Sequence, residues 1–451
     1  MKNKVLIVLM MLTLSALVRA EGFLDSVSRM KWGELDVVWI EDDKFPRFTA
    51  AIYFQDGALN DSFSGLTQGT FEQITSGTST QTQREIAEFF DFYGASIKSN
   101  VTHEYSVFSL QGLTKDIDPL MNKVCSLFTD AQYPSNELNS YISRSKSRLK
   151  NLVTSHSSLA DRIYRQLSLS QTPYTVPVEG TLSSFDKLKT QNLKDRLSEL
   201  NKVKKVLYLT GPAEVKNLKE IISKKCNWSS ENGLKKLSLN KPAAQSSIYL
   251  IPVPGANQAQ IRIGRYVTTD EVQGKYDNFN FLAGFLGGGF TSKLVQELRV
   301  KRGLTYSASA YVSMQRDYGR AGIMTFSKNE SASEAITIIR DVFNEVSVGK
   351  FSQEEFKHQQ GHQIGGFLFG FEQTEAFLNQ IMLYDHQERK LEELANYPEH
   401  IRSLTQEALK QANLEAFPWE LLTIVVVGDK SLEKSLSQIR PVKILDYRDF
   451  L

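Results

Sequence analysis

The chain has 451 residues, 41% of them hydrophobic and 23% charged. Its 53 Lys and Arg against 51 Asp and Glu leave +2, which gives no electrostatic case for nucleic acid or an anionic membrane as partner. Length and composition exclude a disordered, collagen-like or disulfide-dense chain and predict two domains or more.

The chain opens on Lys2 and Lys4, continues through an apolar run from Val5 to Val18 broken by Thr13 and Ser15, and reaches Val18-Arg19-Ala20 before Glu21. This pattern predicts a signal peptide cleaved after Ala20, and hence an exported protein, periplasmic or secreted. Removing Lys2, Lys4 and Arg19 leaves 50 basic residues against 51 acidic ones. No later stretch approaches the roughly 20 apolar residues of a membrane-spanning helix. Cys125 and Cys226 read as two small buried residues, with a single disulfide as the alternative in an oxidising compartment.

Beyond the leader, one long pattern occurs twice. Strand-like LDVVWI and TAAIYF open the first half, SSIYLIPV and AQIRIGRY the second. HEYSVFSLQGL, with Tyr105, is matched by RDYGRAGIMTF, with Tyr318. YPSNEL, with Ser135, is matched by KFSQEEF, with Ser352, each read as a capped helix start. KKVLYLTG, ending at Gly211, is matched by LLTIVVVG, ending at Gly428; the last two pairs share an offset of 217 residues. The polar stretch 229–247 suits a linker. The predicted organisation is a signal peptide at 1–20, one domain at 21–228, the linker, and a second domain at 248–451. Runs of strands separated from runs of helices predict an α+β fold, each domain an antiparallel sheet with helices packed on it.

Residues 286–319, LGGGFTSKLVQELRVKRGLTYSASAYVSMQRDYG, resemble the C-terminal domain signature of the pitrilysin/insulinase family of zinc metallopeptidases. GLTQGTFEQITSGT at 65–78 and IMLYDHQERKLEELANYPEH from Ile381 onward extend the likeness over essentially the whole mature chain. The resemblance implies duplicated α+β halves. In the family an inverted motif, H-x-x-E-H, supplies two His ligands and a Glu base, and a distal Glu completes the zinc site. Here Gln68 and Glu72 stand at the His positions and Phe71 at that of the base. Residues 138–160, where the distal Glu is expected, hold no Asp or Glu, but Arg144, Lys146, Arg148 and Lys150. This chain is therefore expected to bind no metal, with Zn2+ held by a partner.

LRVKRGLTY matches the family's second catalytic element. The resemblance implies that Arg299 holds substrate backbone and that Tyr306 donates to the oxyanion of a tetrahedral intermediate, as a neutral phenol can at pH 7. Gly287, Gly288 and Gly289 correspond to a glycine-rich loop associated with substrate handling; the second Gly of a phosphate-binding loop is out of register. The expected partners are a homologous subunit bearing the zinc motif and a peptide or unfolded polypeptide, and the alternative is a non-enzymatic peptide-binding scaffold.

Two constellations remain. His358 and His362 are spaced to chelate a metal on one helix face, yet the residues between them, Gln359, Gln360 and Gly361, include no base, so a solvated face is the simpler reading. The basic run at 144–150 reads as a solvated helix face, or as an attractor for an acidic partner.

Overall fold

Strand burial sorts the sheets before any pairing is considered. Three strands, Arg47–Phe54 (β3), Gln258–Thr268 (β8) and Thr423–Gly428 (β11), are buried at nearly every position, which places them centrally with both faces covered. Val27–Trp32 (β1) and Ser96–Val101 (β4) alternate in exposure, as edge strands do.

A computed structural model describes residues 24–226, 228–229 and 235–451. The segment read as a signal peptide lies outside them. With Leu35–Glu41 (β2), Ser106–Leu113 (β5) and Lys205–Gly211 (β6), the first sheet runs β1-β2-β6-β3-β5-β4. With Ile248–Pro252 (β7), Ala308–Met314 (β9), Tyr318–Lys328 (β10) and Val442–Ile444 (β12), the second runs β12-β7-β11-β8-β10-β9.

Five strands of each sheet share one topology, so the repeat is a repeat of fold. Gly211 and Gly428 close equivalent strands, paired with Glu41 and Pro252. The fold is α+β, but the sheets are mixed rather than wholly antiparallel. β2 pairs β6 in parallel, and β7 pairs both β11 and β12 in parallel. These partners are far apart in sequence, and a parallel pair needs a crossover connection that leaves no local signature.

Contacts divide the described residues into two units that are not the two repeats. The first draws on residues 24–141, 187–226, 228–229 and 369–398; the second on Ile142–Asp186, Lys235–Leu368 and Glu399–Leu451. In the first unit the helix Thr374–His386, from the second repeat, packs on β6. In the second unit the helix His156–Ser168, from the first repeat, packs on β8 and β11. Leu159, Ile163 and Tyr164 of that helix share a core with Ile251, Val425 and Val427.

The two helix starts differ. Ser352 and Glu355 exchange hydrogen bonds at 3.0 and 2.7 Å in a full capping box, whereas Ser135 is itself the first residue of its helix. The acid is three residues on in the second case and two in the first, and only the former spacing closes the box. Cys125 and Cys226, both buried in the first unit, are joined by a disulfide, which replaces the reading as free core thiols.

Candidate functional site

Gln68, Phe71 and Glu72, the residues that the resemblance sets at the zinc-motif positions, lie on the helix Leu66–Glu72 in the first unit. Gln68 Nε2 donates to Glu72 Oε1 at 2.6 Å, so the residues at the two ligand positions, half-buried, bond to each other. Phe71, at the position of the base, is buried against Phe54 and Phe128, with ring centroids 5.5 and 6.4 Å away. It is part of the core, not of a reactive surface.

Sequence reasoning missed what fixes this helix from behind. Arg196, on Thr190–Leu200, donates to Thr67 Oγ1 at 2.8 Å and pairs with Asp56 at 3.0 Å and Asp61 at 3.4 Å, all nearly inaccessible. Asp61 also accepts from the Thr67 amide at 3.0 Å. Burial pushes the Asp61 carboxyl up to about 6, against the opposing pull of Thr67 and Arg196. The one signal in sequence was a basic residue at a core-facing helix position, between Leu193 and Leu197.

On the helix Ser135–Lys150, Ser145 and Leu149 face inward while Arg144, Arg148 and Lys150 are exposed and Lys146 pairs with Asp186. The basic run is thus a solvated face. His358 and His362 are exposed on Gln353–Phe367. Among the described residues, no group of three or more His, Cys, Asp and Glu side chains is placed to hold a metal ion.

The second unit carries the other candidate residues. The helix Tyr276–Gly287 ends against β9: a Cβ on Gly287 would lie 2.1 Å from the Ala310 amide nitrogen, so only glycine fits there. Gly288 is crowded by its own helix, with Gly284 Cα 2.7 Å from such a Cβ. The close approach at Gly287 is therefore made by this chain's own strand, and Gly289 alone opens onto free space.

Beyond the glycines, Gln296 Nε2 donates to the Phe290 carbonyl at 2.6 Å and Ser292 Oγ to that of Gly289 at 2.6 Å, which fix the turn. Residues Gln296–Val300 form a π-helical turn, an arrangement frequent at functional sites, pinned by fully buried Leu298. Arg299 projects from it, half-buried, its guanidinium carbon 4.9 Å from the exposed Phe290 ring. Glu297, the neighbouring acid, is taken by Lys301 and Arg302, both at 2.5 Å. Burial raises its carboxyl, but those two bonds outweigh it and hold the group below its ordinary range.

Tyr306 is 78% exposed, and its flanks are fixed: Thr305 is buried and donates to the Ser307 carbonyl at 2.9 Å. Among the described residues, neither the Arg299 guanidinium nor the Tyr306 hydroxyl has a hydrogen-bond or ion-pair partner. The structure brings Arg299 to Phe290, a contact that sequence spacing did not reveal.

Residues 204–361 match the family model described as "Peptidase M16 inactive domain". The chain is 20% identical over 330 residues to an uncharacterized zinc protease of Streptomyces coelicolor, covering 71% of each chain. It is 22% identical over 344 residues to the uncharacterized zinc protease YmxG of Bacillus subtilis, covering 74% of this chain and 81% of that one. It is 20% identical over 337 residues to the non-peptidase homolog YmxG of Helicobacter pylori, covering 74% and 77%. The crystal structure of a peptidase M16 inactive domain from Pseudomonas fluorescens superposes with a TM-score of 0.80 at 20% identity, covering 90% of this chain and 98% of that one. A protease from Helicobacter pylori gives 0.75 at 15% identity, covering 89% and 99%. Both likenesses show the fold. The chain is thus similar in sequence to the peptidase M16 inactive domain over residues 204–361, and similar in fold to a solved peptidase M16 inactive domain over 90% of its length.

Proposed function

We propose that this chain is the zinc-free subunit of an exported, heteromeric zinc metallopeptidase and lends Arg299 and Tyr306 to a homologous zinc-bearing subunit. The observation that carries the reading is the contrast between two sets of residues. Gln68 and Glu72 satisfy each other and Phe71 is core, while Arg299 and Tyr306 stand on fixed elements with their polar groups uncommitted.

The partner's metal would supply the activated water. This chain's part is to hold and to donate. The Arg299 fork grips a backbone carbonyl of a peptide or unfolded polypeptide, and the Tyr306 hydroxyl gives a hydrogen bond to the oxygen on which negative charge develops. Neither step requires Tyr306 to change protonation state. The Cys125–Cys226 disulfide favours an oxidising compartment, in keeping with export.

The test is to co-express the mature chain with a homologous chain bearing H-x-x-E-H, to purify through a tag on this one, and to assay the complex and each chain on a peptide library. Activity in the complex alone is expected. Tyr306→Phe lowers its turnover on the order of a hundredfold while co-purification is unchanged. A second reading, a peptide-binding scaffold without catalysis, is favoured by the relative named a non-peptidase homolog; failure to form any active complex would establish it over the first.

A further inference from the structure

Phe290 is 71% exposed, yet the turn that carries it is fixed on both sides. Its carbonyl accepts from Gln296 Nε2 at 2.6 Å, and the Gly289 carbonyl accepts from Ser292 Oγ at 2.6 Å and from the Ser292 amide at 3.1 Å. Lys293, three residues on, pairs with Glu355 at 2.5 Å, and Ser292, Leu294 and Leu298 are buried. A phenylalanine held in this way with most of its ring in water adds little to stability, because the hydrophobic gain scales with the apolar area removed from water.

What the ring does is meet a cation. The Arg299 guanidinium carbon lies 4.9 Å from its centroid. A cation over an aromatic face is drawn by the ring quadrupole, and that attraction uses none of the five N–H groups of the guanidinium. A carboxylate in the same place would grip the fork more firmly, but it would take up two of those donors and cancel the charge. The acid nearest in sequence is diverted: Glu297 pairs with Lys301 and Arg302, both at 2.5 Å. The π-helical turn Gln296–Val300 sets where the Arg299 side chain leaves the backbone, and the ring sets where its far end comes to rest.

We propose that Phe290 is a positioning residue for Arg299: the ring restrains the guanidinium and leaves every donor free for the carbonyl oxygens of a peptide. The role deepens the reading of Arg299 as the residue that holds substrate, and it rests on that reading. An exposed arginine loses rotamer freedom when it binds, and a stack formed beforehand lowers that cost where an ion pair would have blocked the grip.

Two measurements separate the restraint from the reading beneath it. In the mature chain alone, the Arg299 Nε–Hε resonance, assigned by its loss in Arg299→Lys, should be shifted upfield by the ring and show a high order parameter. Phe290→Leu, which keeps apolar bulk without a π face, should move the resonance downfield and lower the order parameter, and Phe290→Trp should restore both. A thermal melt of each variant checks that this exposed position tolerates the change. In the complex with a zinc-bearing homologue, Phe290→Leu should raise KM for peptides about two- to fivefold with kcat nearly unchanged, and Phe290→Trp should recover it. Phe290→Glu, which holds the guanidinium through its donors, should raise KM further. A resonance unmoved in Phe290→Leu overturns the proposal whatever the complex does, and so does an active complex in which Phe290→Leu or Phe290→Glu behaves as wild type. Absence of activity in any complex refutes the pairing with a zinc subunit instead, and the resonance then decides the restraint by itself.

Discussion

His386 Nε2 lies 2.8 Å from Glu104 Oε2, and both side chains are almost wholly buried although one comes from each repeat of the chain. Tyr53 completes the set at 2.9 Å from His386 Nδ1, and the preceding residue, Asp385, receives Arg29 at 2.8 Å and the Tyr208 hydroxyl at 2.9 Å. Arg47 and Glu375, 3.2 Å apart, hold the other end of the same helix. The helix Thr374–His386 is thereby fastened to the first sheet by polar contacts at both ends.

Truncating His386 removes the Nε2 contact to Glu104 in the core. His386→Ala should cost about 3–5 kcal/mol, the loss typical of a buried pair with one member removed. Replacing both partners, as in Glu104→Leu with His386→Leu, should cost clearly less than the sum of the single changes. Urea unfolding of the two single variants and the double one measures the coupling, and additive losses would contradict it.

Asp61 gives an unusual pH dependence. Its carboxyl titrates near 6 in the fold and near 3.8 when unfolded, because burial disfavours the charge. Between those values the native state holds the proton and the unfolded state does not, so stability from this residue falls as pH rises from about 4 to about 6. The size is about 2–3 kcal/mol for a shift of some two units. Wild type should lose that much relative to Asp61→Asn across the window; parallel stability curves for the two proteins would remove the effect.

Restoring the zinc motif on paper should fail in practice. The triple change Gln68→His, Phe71→Glu and Glu72→His puts a carboxylate between Phe54 and Phe128, where nothing pairs with it. A loss above about 3 kcal/mol is expected, carried almost entirely by Phe71→Glu. Metal analysis beside a thermal melt distinguishes this from a folded protein that binds stoichiometric zinc.

The disulfide spans 101 residues, from the middle of the first repeat to its end. Chain-entropy reasoning gives about 4–5 kcal/mol for a loop of that length, and typical observed values are about 2–4 kcal/mol. Cys125→Ser with Cys226→Ala should lower the unfolding midpoint of the oxidised protein markedly and leave that of the reduced protein nearly unchanged. Equal shifts in both would place the effect in packing.

How much was legible depended on whether the cause was local. The strand ending at Gly211 and the one ending at Gly428 announced themselves by composition and by the shared offset, and both hold the same place in their sheets. The capping box at Ser352 was legible because its two members are three residues apart; Ser135 resembled it without meeting that spacing. The parallel contacts of β2 with β6 and β7 with β11 were not, since their partners are set by the path of the chain. Nor were Arg196 beneath Thr67 or Phe290 beside Arg299, since burial and through-space contact leave no mark in a spacing rule.

The two helices that change places, His156–Ser168 and Thr374–His386, occupy equivalent positions in the two repeats. Each repeat keeps its sheet and gives up a helix, which is the topology of a domain-swapped homodimer threaded onto a single chain. Cutting the chain at the linker would therefore yield two fragments, neither holding a complete fold. An isolated 21–228 piece would leave β6 uncovered and Glu104 without His386, while carrying a helix that has no sheet to lie on. The smallest stable version of this protein is the pair of repeats together, and a single repeat would regain its missing helix only by meeting another copy of itself.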